Sequence, residues 1–170
     1  MSLPLLFILF AGQTAAETVV GVEPGLVVET WASDPMLVDP VAFCIDEQGR
    51  IFVAETARQE RGFEDTRSQP YWNLDDISLQ SVEDRLAMYR KWAHKRPNGM
   101  EHYTDFEDRI RLLVDEDGDG VADTTTVYSG GYDDPLDGTG SGLLAHEGTV
   151  YYTNIPHLWM LRDVDGDGIA

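Results

Sequence analysis

An acidic turn occurs twice in this chain, and its return constrains the fold more than any other feature. Asp115-Glu116-Asp117-Gly118-Asp119-Gly120-Val121-Ala122-Asp123 matches Asp163-Val164-Asp165-Gly166-Asp167-Gly168-Ile169-Ala170, 48 residues later. Each copy follows an apolar stretch holding an arginine, Arg111-Leu112-Leu113-Val114 in the first and Met160-Leu161-Arg162 in the second. A unit that returns after one fixed interval is a structural repeat, and recognising it precedes any local assignment.

A second pair of matching segments gives the same period. A turn at Asp46-Glu47-Gln48-Gly49 leads into Arg50-Ile51-Phe52-Val53-Ala54-Glu55, and with 41–45 before it this has the pattern of a β-hairpin. Ala145-His146-Glu147-Gly148-Thr149-Val150-Tyr151-Tyr152-Thr153-Asn154 repeats the turn glycine, the β-branched residue and the aromatic, 99 residues on. The first copy holds 51 more residues between its glycine and its acidic turn than the second does. Without them the hairpin period is also 48. Several short strands per unit at about that length is the pattern of a propeller blade. The expected fold is therefore all-β, about two blades of a larger β-propeller over residues 17–170, with a helical insertion at about 57–107. Two blades do not close a ring, which takes about four to eight, so the expectation is the N-terminal part of a longer protein.

Within the insertion, Ser81 is placed to cap a helix. Glu83 and Asp84 follow in its first turn, and Val82, Leu86, Tyr89 and Trp92 recur at helical spacing. Arg90, Lys91, Lys95 and Arg96 make its last turn basic, before Pro97 and Asn98-Gly99. Tyr89 and Trp92 are expected to pack this helix onto the sheets. Residues 26–31 and 41–45 read as strands, the second buried, with Cys44 as a packed core thiol. It is the single cysteine, so no internal disulfide forms.

At the N-terminus an apolar run over 3–10 leads to Ala11-Gly12-Gln13-Thr14-Ala15-Ala16, which reads as a signal peptide over 1–16. The run is too short to span a bilayer, so the mature protein is expected in the periplasm or outside the cell, with no transmembrane helix beyond the signal. The net charge is −19. Residues 101–170 concentrate it, with sixteen acidic side chains against Arg109, Arg111 and Arg162. Such a surface repels polyanions, which sets aside nucleic acid and anionic lipid as partners.

The acidic turns are the best candidates for a metal. Asp115, Asp117 and Asp119 offer carboxylates at alternate positions, Val121 its carbonyl, and Asp123 a final carboxylate, the donor pattern that wraps calcium. Asp163, Asp165, Asp167 and Ile169 repeat it. The twelfth position from Asp115 is Thr126 rather than glutamate, so the loop is not an EF-hand, and a calcium-binding β-hairpin turn fits the strand-like flanks over 109–114 and 124–129. Close carboxylates without a cation would repel one another. Two weaker candidates for chemistry are Asp137, in the aspartate- and glycine-rich link Tyr132-Asp133-Asp134-Pro135-Leu136-Asp137-Gly138, and His157, in Asn154-Ile155-Pro156-His157-Leu158-Trp159. The four histidines show no metal-ligand spacing.

Gly49-Arg50-Ile51-Phe52-Val53-Ala54-Glu55-Thr56, Asp108-Arg109-Ile110-Arg111-Leu112-Leu113, the Asp-Gly-Asp-Gly turns and Tyr151-Tyr152-Thr153-Asn154-Ile155-Pro156-His157-Leu158-Trp159 resemble the membrane-bound dehydrogenase domain family of planctomycete-type bacteria. That family is similar to the propellers of soluble quinoprotein glucose and sorbosone dehydrogenases. The resemblance implies pyrroloquinoline quinone (PQQ) and calcium as cofactors, a sugar or alcohol as substrate, and haem c only where a downstream cytochrome c domain exists. It places the family's catalytic histidine near Asp137, an aspartate here, and expects basic residues for the quinone carboxylates further along. The alternative expectation is a non-catalytic propeller that binds a glycan or a protein on its face.

Overall fold

The computed structural model describes residues 23–59, 61–64 and 66–170. The expected signal peptide, 1–16, lies outside them. Among the described residues no helix is long and apolar enough to cross a membrane.

The chain forms two antiparallel meanders. The first sheet runs β1 (Pro40–Ile45), β2 (Ile51–Glu55), β3 (Asp108–Val114) and β4 (Thr124–Tyr132), paired in that order. The second runs β5 (Gly140–His146), β6 (Thr149–Asn154) and β7 (His157–Leu161). The sheets stack through one face of each, and among the described residues they do not close into a ring. Register puts Phe52 and Ala54 of β2 beside Leu112 and Ile110 of β3. These join Tyr128 and Tyr132 of β4 and meet Val150 and Tyr152 of β6 in one buried core. Cys44 packs against this core half-buried, and burial raises its thiol pKa to about 11.

Alternation sends Ile51, Val53 and Leu113 to the other face of the first sheet, where Ala32, Leu37, Trp31 and Met36 cover them. Two expectations change here. Residues 26–31 have a strand's composition but, among the described residues, show only an isolated bridge at Thr30 and no ladder. The strand at 41–45 is not buried throughout. Ala42 and Cys44 face the core, while Val41, Phe43 and Ile45 are about half exposed on the opposite side. A period of 2 allows one buried face when only one face is covered.

The segment between β2 and β3 is helical, with α1 (Asn73–Asp76), α2 (Val82–Trp92) and short 3-10 turns. Ser81 caps α2, its side chain accepting from Asp84 N at 3.1 Å. Trp72, Met88, Tyr89 and Tyr103 form the buried centre of this layer, with Tyr89 and Tyr103 stacked at 4.4 Å. Trp92 packs at its edge, its indole N–H donating to Asp75 at 2.6 Å.

Candidate functional site

A cavity of about 560 Å³ opens where the link between β4 and β5 meets the start of β7. Tyr132, Asp134, Asp137, His157 and Trp159 line it, and Val82 closes one side from the N-terminus of α2. The two residues singled out in the sequence for chemistry, Asp137 and His157, thus share one cavity. Asp137 sits in a tight turn in which its N–H donates to Asp134 O at 2.9 Å and Leu136 N–H donates to Asp134 Oδ1 at 2.8 Å. Gly138 N–H donates to Ile155 O, and Asn154 Nδ2 donates to Gly138 O at 3.0 Å, so the link is fixed to the β6–β7 turn that carries His157. The His157 ring is exposed and meets Trp159 edge-on at 5.2 Å. Trp159 meets Tyr132 at 5.5 Å, and Tyr132 continues to the buried Tyr152 at 4.9 Å.

Behind the cavity lies a fully buried cation. The Arg58 guanidinium donates to the carbonyls of Asp137 at 3.2 Å, Tyr103 at 3.1 Å and Asp134 at 2.9 Å. One side chain therefore ties the insertion to both ends of the Asp134–Asp137 turn. Asp108, also fully buried, accepts from Thr56 Oγ1 at 2.8 Å, Arg58 N at 3.3 Å and Gly140 N at 2.9 Å, which joins the two sheets to the insertion.

Burial raises the Asp137 carboxyl above the ordinary aspartate range, and the neighbouring Asp134 adds to this. Arg58, the Asp134 N–H and His157 act in the opposite direction. A carboxylate whose proton affinity is raised is a better proton acceptor for a hydroxyl group than an ordinary one. Burial likewise raises the Tyr132 phenol.

The acidic turns lie elsewhere, at the β3–β4 connection and after β7. In the first, oxygens of Asp115, Asp117 and Asp123 lie within 4.8 Å of one another, and in the second those of Asp163, Asp165 and Asp167 do. Asp119 falls outside the first group, and its Oδ1 accepts from Val121 N at 2.9 Å. Val121 and Ile169 follow at the half-exposed rims, their N–H groups held by Asp119 and Asp167. Asp115 accepts from Gly118 N at 2.7 Å and Gly120 N at 3.0 Å, and Asp163 accepts from Gly166 N at 2.6 Å and Gly168 N at 2.9 Å. All four glycines have positive φ, between 78° and 92°, which bends each turn around its first aspartate. These bonds hold the Asp163 carboxyl below its ordinary value. Each turn thus brings together three hard oxygens, a group that could hold a metal ion.

The cavity does not suit a quinone bearing several carboxylates. No Lys or Arg lines it, and Asp134 and Asp137 do. Arg109 and Arg111 are engaged elsewhere, by Glu55 at 2.5 Å and 3.2 Å, and Arg58 by main-chain carbonyls. Sequence reasoning passed over Arg58 and Asp108 because their partners lie 32 to 79 residues away. It also passed over Val82 as part of a cavity wall. Tyr132 and Trp159 had a signal, each lying in the same short segment as Asp137 or His157.

Residues 13–170 match a family model described as a domain of unknown function (DUF7133). No curated protein and no solved structure matches the chain.

Proposed function

The chain belongs to the DUF7133 family, a domain of unknown function, and we propose that it is the N-terminal portion of an exported β-propeller, braced by calcium at its acidic turns, that binds sugar or alcohol hydroxyls in the Asp137–His157 cavity. The observation that carries this reading is the lining of that cavity, two aromatic rings beside two carboxylates and an imidazole. Rings pack on the C–H faces of a sugar, and carboxylates accept from its hydroxyls. The propeller part is supported by two stacked meanders whose outer faces are both apolar. Leu144, Leu158 and Met160 are 59%, 66% and 68% exposed on one, and Val41, Phe43 and Ile45 lie open on the other. Apolar faces of this kind mark surfaces that another element covers.

A second reading, a quinoprotein-type sugar or alcohol dehydrogenase, is favoured by the raised proton affinity of Asp137. There Asp137 accepts the hydroxyl proton. PQQ would need cationic residues from outside this cavity, so no hydride step is supported by the residues around it. Titration calorimetry against a panel of sugars and polyols, with calcium present, tests both readings. Binding that is lost in Trp159→Ala, without dye reduction, supports the binding module, and no binding by the natural protein overturns it. Dye reduction that requires PQQ and calcium and is abolished by Asp137→Asn establishes the dehydrogenase instead.

A further inference from the structure

Among the described residues four carboxylates are buried, and three of them are held by several partners. Asp46 pairs with Arg50 at 2.7 Å and accepts from Gln48 N at 3.0 Å and Arg50 N at 2.9 Å. Glu55 is held by Arg109, by Arg111 at 3.2 Å and by Val38 N at 2.6 Å. Asp108 accepts from Thr56, Arg58 and Gly140. Asp137 is the exception. It is 7% exposed, yet among the described residues its carboxylate accepts one bond alone, from Asp134 N at 3.3 Å, and no ion pair reaches it. Arg58 stands behind it, but the guanidinium donates to main-chain carbonyls and not to this carboxylate.

Asp137 lines the cavity at the β4–β5 link. A charge withdrawn from water and left without a partner is costly, and a cation beside it offsets that cost. The rest of the lining specifies the kind of cation. Asp134, exposed in the same lining, has Oδ1 occupied by Leu136 N at 2.8 Å and Oδ2 open. Tyr132 and Trp159, 5.5 Å apart, present rings, whose faces attract an ammonium group. No Lys or Arg lines the space, so no fixed positive charge repels a cation there. The chain's net charge of −19 draws cations towards it. A metal ion fits less well. Among the described residues, the groups of three ligands with atoms within 4.8 Å of one another lie in the acidic turns, and Asp134, Asp137 and His157 do not make one. The volume of about 560 Å³ suits a small molecule, and Val82, Leu136 and Leu161 give the cavity apolar walls.

We infer that this cavity recognises a protonated amine carried on a hydroxylated ring, an amino sugar, with the ammonium at the Asp137 and Asp134 carboxylates and the ring against Trp159. The inference rests on the hydroxyl-binding reading of the same cavity and narrows it. An ammonium brings three donors and a charge, where a hydroxyl in the same place brings one donor and no charge.

Titration calorimetry of the natural protein slightly below neutral pH, with glucosamine, glucose and cyclohexylamine, tests the inference. Glucose carries a hydroxyl where glucosamine carries the ammonium, and cyclohexylamine keeps a ring and an amine without the hydroxyls. Glucosamine should bind about tenfold tighter than glucose, the difference between a charge-assisted hydrogen bond and a neutral one, and tighter than cyclohexylamine. Asp137→Asn should remove the preference for glucosamine over glucose, whereas Trp159→Ala should weaken both sugars. Equal binding of the two sugars overturns the inference and leaves the hydroxyl reading standing. A preference that survives in Asp137→Asn overturns it too, since the ammonium then has another partner. Cyclohexylamine binding as tightly as glucosamine overturns it in favour of a simple amine. Binding of no sugar at all overturns both readings.

Discussion

Replacing Arg58 with methionine tests whether one buried cation holds the cavity together. The guanidinium is 0% exposed and donates to three main-chain carbonyls, those of Tyr103, Asp134 and Asp137. Methionine keeps much of the volume and removes every donor. Each bond from a charged donor contributes about 1.5–3 kcal/mol. They do not add, because the variant also escapes the cost of burying the charge. The better guide is the cost of leaving a buried carbonyl without a donor, about 1–3 kcal/mol each, and it falls on Tyr103 and Asp137, since Asp134 O still accepts from Asp137 N. With a urea slope of about 2 kcal/mol/M, the unfolding midpoint should fall by roughly 1–3 M. Arg58→Lys keeps the charge and three donors but not the planar fork, and should fall between the two. Midpoints come from fluorescence of Trp72 and Trp159, one in the insertion and one on β7. A drop below about 0.5 M for Arg58→Met, far less than the desolvated carbonyls should cost, would refute the reasoning. The carbonyls would then have other donors, and the Asp134–Asp137 turn would be held by its own bonds.

Four further outcomes follow from the same contacts. A Cβ at Gly140 would fall 1.6 Å from the fully buried Tyr152 hydroxyl, so Gly140→Ala should cost about 1–3 kcal/mol by overpacking, read as a lower midpoint in calorimetry. Asp137 has a raised carboxyl pKa in the folded state, so the native chain holds more protons than the unfolded one between the ordinary and the raised value. Stability should fall as pH rises through that window, and Asp137→Asn should be more stable than the natural protein at neutral pH. Asp163 is the opposite case, its folded pKa being lowered, so its contribution is present above the ordinary value and lost as pH falls through the lowered one. Carboxyl NMR should place its midpoint below that of an unfolded control. Calcium added after chelation should raise the melting temperature, by about 2.7 kcal/mol of stability at a hundredfold excess over Kd, with part of the gain lost in Asp117→Asn and part in Asp165→Asn.

What the sequence disclosed depends on how far apart the interacting residues lie. The hairpin over 41–55, the α2 cap at Ser81 and the glycines of the acidic turns are local. Each needs only a few consecutive residues, and each formed where the pattern placed it. The contact of Tyr132 on β4 with Tyr152 on β6, 4.9 Å apart, is long-range, yet the repeat implied that two like sheets would pack. Arg58 is different. It follows a strand without periodicity or motif, and nothing nearby in the chain marks it as buried. Its role exists only once the insertion folds back over the β4–β5 link.

The same distinction explains the strand at 26–31. Its composition is right for a strand, and alternation of Leu26, Val28 and Thr30 with Val27, Glu29 and Trp31 does not contradict one. What it lacks is a ladder. Strand propensity expresses fit to a neighbouring pleated surface more than an intrinsic backbone preference, so a segment with the right residues and no neighbour stays irregular. Trp31 is nevertheless held in the position that Tyr128 occupies one repeat later, by a turn alanine in both cases. The strand expected at 26–31 and the irregularity observed there therefore describe one property, a sequence suited to pairing that shows a single bridge, at Thr30, and no ladder among the described residues.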